Sequence, residues 1–242
     1  MKILGKIGFV WFALVFVGVF LLFYPFFLLF LSHPKLYPVA NRLRRIWAWI
    51  IVVLCFSIPV IKREEPELPL PCVLVSNHSS YLDIIAIGLI APSKLSFMAK
   101  IELAKIPLFG IFFRTVDIGV NRKSIRDSHK AFTVAGERIN DAYAVVIFPE
   151  GTIWDKTPQL KPFKNGAFKL AIEHGVPIVP ITFYNNYKLL PDEKTEFYPQ
   201  MLKFKIHRAI PTAHLNDEDS DTLKDEIYTL IENELKSKKI IS

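Results

Sequence analysis

In the stretch SNHSSYLD, residues 76–83, a histidine and an aspartate stand five positions apart at the end of an apolar run. Both side chains are costly to bury and neither is needed to make a turn. On one continuous helix, positions five apart are separated by roughly 140°, so His78 and Asp83 would not meet. They meet if His78 sits in the turn before a helix and Asp83 in its early part. Ser79 and Ser80 are placed to cap such a helix. A carboxylate bonded to one ring nitrogen fixes the imidazole tautomer and leaves the other nitrogen to accept a proton. The pair is a two-member base without an obvious nucleophile of its own. No G-x-S-x-G occurs, and Ser76, Ser79 and Ser80 are read as turn and cap residues. A hydroxyl brought by a substrate is the natural object of such a base. A metal centre is not expected, because His33, His129, His174, His207 and His214 show no paired-ligand spacing.

Alternating strands and helices have to position this pair. CVLVSN (72–77) reads as a strand followed by the helix YLDIIAIGLI, and KLSFMAK (94–100) as the next strand. ELAKIPLFGIFF follows as a helix interrupted at Pro107, then the strand RTVDIGVNR (114–122) and an amphipathic helix over 124–141 opened by Ser124. YAVVIFPEG (143–151) is a strand, and NGAFKLAIEHG is a helix with Asn165 as N-cap and Gly175 as stop. VPIVPITFY (176–184) and LKFKIHRAI (202–210) complete the strands before a last helix with an acidic first turn and lysines at its end. The pattern predicts an α/β fold, a mixed sheet flanked by helices. In such sheets, polar residues just past strand C-termini gather in one crevice. His78, Lys100, Arg122 and Glu150 all occupy that position.

The N-terminal quarter has a different character. Of the chain's 30 Lys and Arg, six fall in residues 1–61, which contain no Asp or Glu; the remainder carries 24 basic against 23 acidic residues. The net charge of +7 therefore belongs to the N-terminal segment and not to the α/β body. That distribution argues against nucleic acid as a partner and suits an anionic membrane surface. Residues 7–31 are uncharged and apolar. As a helix they extend roughly 38 Å, enough to cross a hydrocarbon core of about 30 Å. The run is too long for a signal peptide and lacks a small-x-small cleavage site. A second apolar run, 46–61, carries Pro59 and is too short to span comfortably. Lys35, Arg42, Arg44 and Arg45 between the runs oppose a full double crossing under the positive-inside rule. A hairpin in one leaflet, or one span with an interfacial helix, resolves the conflict. The expected organisation is a two-helix membrane anchor over 1–61, a charged, proline-rich linker at 62–71 and the α/β domain at 72–242. A chain starting near Lys62 is then expected to keep its site and lose its hold on the membrane. Cys55 and Cys72 form no C-x-x-C or metal spacing and are compatible with a reducing, cytoplasmic setting.

Four ordered blocks between 77 and 180 resemble the glycerolipid acyltransferases, in particular the 1-acylglycerol-3-phosphate (lysophosphatidate) acyltransferases. HSSYLD matches that family's H-x-x-x-x-D motif; KIELAKIPLFG with VDIGVNR matches its second block. FPEGT (148–152) with PFKNGAF (162–168) matches the third, and VPIVP (176–180) the fourth. Ile153 departs from the Arg or Ser common after F-P-E-G-T. The resemblance implies transfer of a fatty acyl chain from a thioester donor to the sn-2 hydroxyl of a lysolipid, giving phosphatidic acid. It implies His78 as base, Asp83 as its orienting partner, and Lys100 and Arg122 gripping phosphate. Glu150 would position glycerol hydroxyls or fix Arg122, with Gly151 and Thr152 shaping the loop around the ligand. No cofactor is expected beyond the co-substrate, an acyl carrier protein or coenzyme A thioester; the other partners are membrane lipids, with the catalytic domain on the cytoplasmic face. Acylation of another lysolipid, hydrolysis by a thioesterase or lipase using His78 on water, and a non-catalytic lipid-binding protein are the competing readings.

Overall fold

The computed structural model describes residues 2–121, 123–192 and 194–241. Seven strands form one sheet: β1 (Pro59–Arg63), β2 (Cys72–Ser76), β3 (Leu95–Lys100), β4 (Ile118–Val120), β5 (Ala144–Ile147), β6 (Ile178–Phe183) and β7 (Leu202–Ile206). Their spatial order is β1-β7-β6-β2-β5-β3-β4. Strands β2 to β6 run parallel, β7 pairs antiparallel with β6, and β1 pairs parallel with β7. The sheet is mixed, as the sequence predicts. β2 is paired along both edges, by β6 and β5, and helices cover both its faces, so the run CVLVS is buried throughout.

The two-residue period of the strands feeds two apolar layers. Cys72 and Leu74 of β2 face the layer of helices α1 (Lys2–Phe30), α2 (Tyr37–Leu54) and α3 (Leu82–Ile90). Val73 and Val75 face the layer of α4 (Ile125–Asn140), α5 (Gly166–Glu173) and α7 (Ser220–Ser237). A single turn, α6 (Asn186–Leu189), follows β6.

α1 is the one described helix long and apolar enough to cross a membrane. Its outer side chains, among them Leu4, Leu14, Leu22 and Leu29, are uncovered. An exposed apolar surface of this kind suits contact with a lipid phase. The inner side is packed. Phe16 and Phe20 pack at a tilt against Trp47 of α2 with ring centroids 4.9 and 5.3 Å apart, and Phe27 meets Phe112 edge-on at 5.1 Å. Near its start α1 also touches the body: Phe197 N–H donates to the Gly5 carbonyl at 2.9 Å, and a Cβ at Gly8 would overlap the Phe197 carbonyl oxygen.

Three expectations change. The second apolar run does not continue as a helix to residue 61: α2 ends at Leu54, and Pro59 opens edge strand β1, where a missing N–H is tolerated. A boundary at 61/62 therefore cuts through a strand, and part of the supposed linker lies in the sheet. The segment after Lys100 forms two 3₁₀ turns, Ile101–Lys105 and Phe109–Arg114, in place of an interrupted helix. Pro107 forces Ile106 into an extended conformation, and Leu108 takes a positive φ of 64°. Asn165 caps nothing with its side chain, which donates to Asp221 at 2.8 Å.

Candidate active site

The parallel strands deliver their C-terminal ends to one crevice. His78 leaves the end of β2 in a turn, and Asp83 is the second residue of α3. His78 Nδ1 lies 3.0 Å from Asp83 Oδ2. The same oxygen accepts the N–H groups of Ser79 at 2.7 Å and Ser80 at 3.0 Å. Asp83 is fully buried, so these donors replace the water that a carboxylate loses on burial. An acceptor-only carboxylate at Nδ1 places a proton on that nitrogen and leaves Nε2 as the basic ring position. The imidazole stacks on Phe148, centroids 4.1 Å apart and planes 21° from parallel, so the ring is held by Phe148 on one face and by Asp83 at its Nδ1 edge. Ser80 ties the turn down, its Oγ accepting Leu82 N–H at 3.1 Å and donating to the Leu190 carbonyl at 2.6 Å.

His78 lines an apolar cleft together with Tyr81, Ile84, Phe97, Phe109 and Phe113. Lys100, Gly151, Thr152 and Ile153 also line it, which brings three of the four sequence-predicted blocks to one place; none of the VPIVP residues lines the cleft. Lys100 is exposed at the end of β3, with Nζ 3.4 Å from Thr152 Oγ1. Gly151 holds φ at 79°, a conformation that glycine adopts without steric cost, and so turns the loop after β5 back over the cleft. Arg122 lies outside the described residues.

Glu150 stands differently from its expected role. It is only 2% exposed, and both oxygens are occupied: Oε1 accepts His78 N–H at 2.7 Å and Oε2 accepts Lys161 N–H at 2.9 Å. The carboxylate thus staples the histidine turn to the loop that follows the FPEGT block, beneath the site. Burial pushes its carboxyl from 4.5 up to about 7, against the opposing pull of the two N–H donors. A raised folded-state value means that the folded protein binds more protons than the unfolded chain between pH 4.5 and 7, so this group's contribution to stability declines as pH rises through that window. Glu150→Gln removes the titration. Thermal unfolding of both proteins from pH 4 to 8 is expected to show the wild type losing ground to the variant as pH rises; a gap independent of pH would refute the assignment.

Four further contributors are not among the sequence-predicted site residues. Asn77 bridges β2 to β6, accepting Phe183 N–H at 2.8 Å and donating to the Phe183 carbonyl at 3.0 Å. Asn186 of α6 donates to Asp83 Oδ1 at 2.6 Å. Arg44 of α2 reaches the cleft floor and pairs two-pronged with Asp117, at 3.1 and 2.9 Å, its guanidinium lying over the rings of Phe97 and Phe112. Asn77 adjoins the HSSYLD block and Asp117 lies inside VDIGVNR, whereas Asn186 and Arg44 come from remote segments.

Comparison with known proteins fits this geometry. Residues 59–184 match the family model described as Acyltransferase. The chain is 29% identical to a 1-acyl-sn-glycerol-3-phosphate acyltransferase of Chlamydomonas reinhardtii over 89% of its own length and 68% of the relative. It is 34% identical to human 1-acyl-sn-glycerol-3-phosphate acyltransferase beta, covering 64% of this chain and 56% of that one. It thus spans between about half and two thirds of the curated relatives it matches. The crystal structure of the 1-acyl-sn-glycerophosphate acyltransferase PlsC from Thermotoga maritima shares the fold, with a TM-score of 0.76 at 23% identity, covering 100% of this chain and 97% of that one. The mixed sheet, the buried His–Asp pair at its C-terminal edge and the match over 59–184 together make this chain a member of the acyltransferase family.

Proposed function

We propose that the protein is a membrane-bound 1-acylglycerol-3-phosphate acyltransferase, which moves a fatty acyl chain from a thioester to the sn-2 hydroxyl and yields phosphatidic acid. The observation that carries the reading is His78, held through Nδ1 by a buried carboxylate at the head of an apolar cleft. In the reaction, Nε2 takes the proton of the acceptor hydroxyl as its oxygen attacks the thioester carbonyl. The new C–O bond forms, the C–S bond breaks, and the imidazolium returns the proton to the departing thiolate. Asp83 stabilises the imidazolium without being protonated itself, in the manner of the aspartate of a catalytic triad. The aromatic and aliphatic walls suit an acyl chain. Lys100, with Arg122, meets the acceptor phosphate, and Gly151 and Thr152 shape the loop over the glycerol. The donor is an acyl carrier protein or coenzyme A thioester, and the site opens to the cytoplasmic side.

Purified full-length protein in detergent, given a panel of lysolipids with each thioester in turn, tests the proposal. Thioester consumption that depends on lysophosphatidate is the expected result. Consumption without any acceptor would make the protein a thioesterase, and preference for another head group would move the acceptor assignment. Lys100→Ala and Arg122→Ala are expected to raise the apparent KM for phosphate-bearing acceptors by one to two orders of magnitude, roughly the loss of one charge-assisted bond each. Variants that keep the parent's preference for phosphorylated over neutral acceptors would take both residues out of the phosphate site.

A further inference from the structure

Asp83 Oδ2 is crowded with three donors, whereas Oδ1 is held by Asn186 alone among the described residues. Asn186 is fully buried, lies 103 residues along the chain, and falls beyond the family-matched segment. Its amide cannot be reversed, because a carbonyl oxygen facing the carboxylate would repel it. The unreversed amide leaves Asn186 Oδ1 buried with no partner among the described residues. An unsatisfied buried acceptor is destabilising. A core position serving packing alone would be filled more stably by an apolar side chain of similar shape.

The carrier of this asparagine is itself anchored to the histidine turn. α6 is followed by Leu190, whose carbonyl accepts Ser80 Oγ at 2.6 Å, and the Leu189 carbonyl accepts Tyr198 N–H at 2.8 Å. β6 enters α6 from Phe183, which is locked to Asn77, the residue before His78. Both ends of the 183–190 segment are therefore fixed to the same turn that carries the base.

We propose that Asn186 is a positioning residue for the transfer reaction: it sets the rotation of the Asp83 carboxylate, and through it the tautomer and orientation of His78. The inference rests on the reading of His78 as base. Without the Asn186 donor, Oδ1 is unpaired, the carboxylate turns about its own axis to find another partner, and Oδ2 leaves its line to Nδ1. An imidazole without that line populates the other tautomer, with the proton on Nε2, which cannot accept one from a hydroxyl.

The test is Asn186→Ala in the full chain, in detergent, with two readouts. ¹⁵N-histidine spectra, with His78 assigned by its loss in His78→Gln, report tautomer and titration with no substrate present. The wild type is expected to show a single Nδ1–H tautomer at His78, and the variant a mixture. Kinetics with the active donor and acceptor pair are expected to show kcat reduced on the order of 10- to 100-fold with KM little changed. If alanine prevents folding, Asn186→Ser retains a donor and is expected to give a smaller change of the same sign in both readouts. Unchanged His78 spectra, or changed spectra with unchanged kcat, would overturn the proposal. A wild type with the expected tautomer but no transfer to any lysolipid would instead overturn the functional reading and leave the tautomer assignment standing.

Discussion

Replacing His78 by alanine is expected to reduce acyl transfer by about 10²–10⁴-fold, the range that a positioned general base supplies. Lysolipid binding is expected to survive, because the surrounding scaffold does not depend on the imidazole. The bond from the His78 backbone N–H to Glu150 remains, as do those from Ser79 and Ser80 to Asp83. The change is therefore confined to kcat. Asp83→Asn is expected to be severely impaired for a different reason. An amide can accept on one side only, whereas Asp83 is surrounded by four donors on its two oxygens. Single-turnover kinetics beside an equilibrium lysolipid-binding measurement checks both variants. Near-wild-type turnover in His78→Ala would end the general-base mechanism.

A chain starting at Lys62 is expected to lose the fold, and not merely its attachment to lipid. The cut removes Pro59, Val60 and Ile61 from β1 and uncovers β7 along their register. It strips Trp47, Ala48, Ile51 and Val52 from an apolar layer they share with Ile87 and Leu89 of α3. It also deletes Arg44, leaving the Asp117 carboxylate, 2% exposed, without its guanidinium. Breaking a buried pair in that way costs about 3–5 kcal/mol by itself, a large share of an ordinary domain's stability. The expected outcome is aggregated protein with no cooperative thermal transition. A monodisperse truncated protein that turns over a short-chain, water-soluble acceptor would show the opposite, that the helices serve as an anchor alone.

The sequence exposes those parts of the site whose geometry is local. His78 and Asp83 are legible because a turn followed by a helix start is the one backbone path that brings residues five apart into contact. The central strands are legible because β2, β5 and β6 are short, β-branched and buried on both faces. β1 is not, because its apolar residues continue a helical run without a break in composition and its partner lies some 140 residues away. Asn186 carries no pattern, and Asp117, though inside VDIGVNR, gives no sign of its pairing, since each acquires its partner only when distant segments pack. Arg44 reads as one more cation of a membrane-flanking cluster; that it turns inward is decided by Asp117 and two phenylalanine rings on other elements. Glu150 follows a strand end as the pattern suggests, but it is buried beneath the crevice, where its carboxylate holds two backbone N–H groups.

The inward turn of Arg44 bears on how such enzymes can be recombined. Exchanging the N-terminal hairpin between relatives, to send one catalytic body to a different bilayer, treats it as a detachable cassette. Here the hairpin contributes a guanidinium to the floor of the cleft, and Phe197 donates to the backbone of its first helix. A workable exchange has to carry Asp117, Phe97, Phe112 and the 197–198 strip along with residues 2–54. Divergence of the hairpin is for the same reason tied to divergence at those four places. A graft that respects lipid-facing hydrophobicity but changes Arg44 would reach the membrane with a deformed acyl cleft.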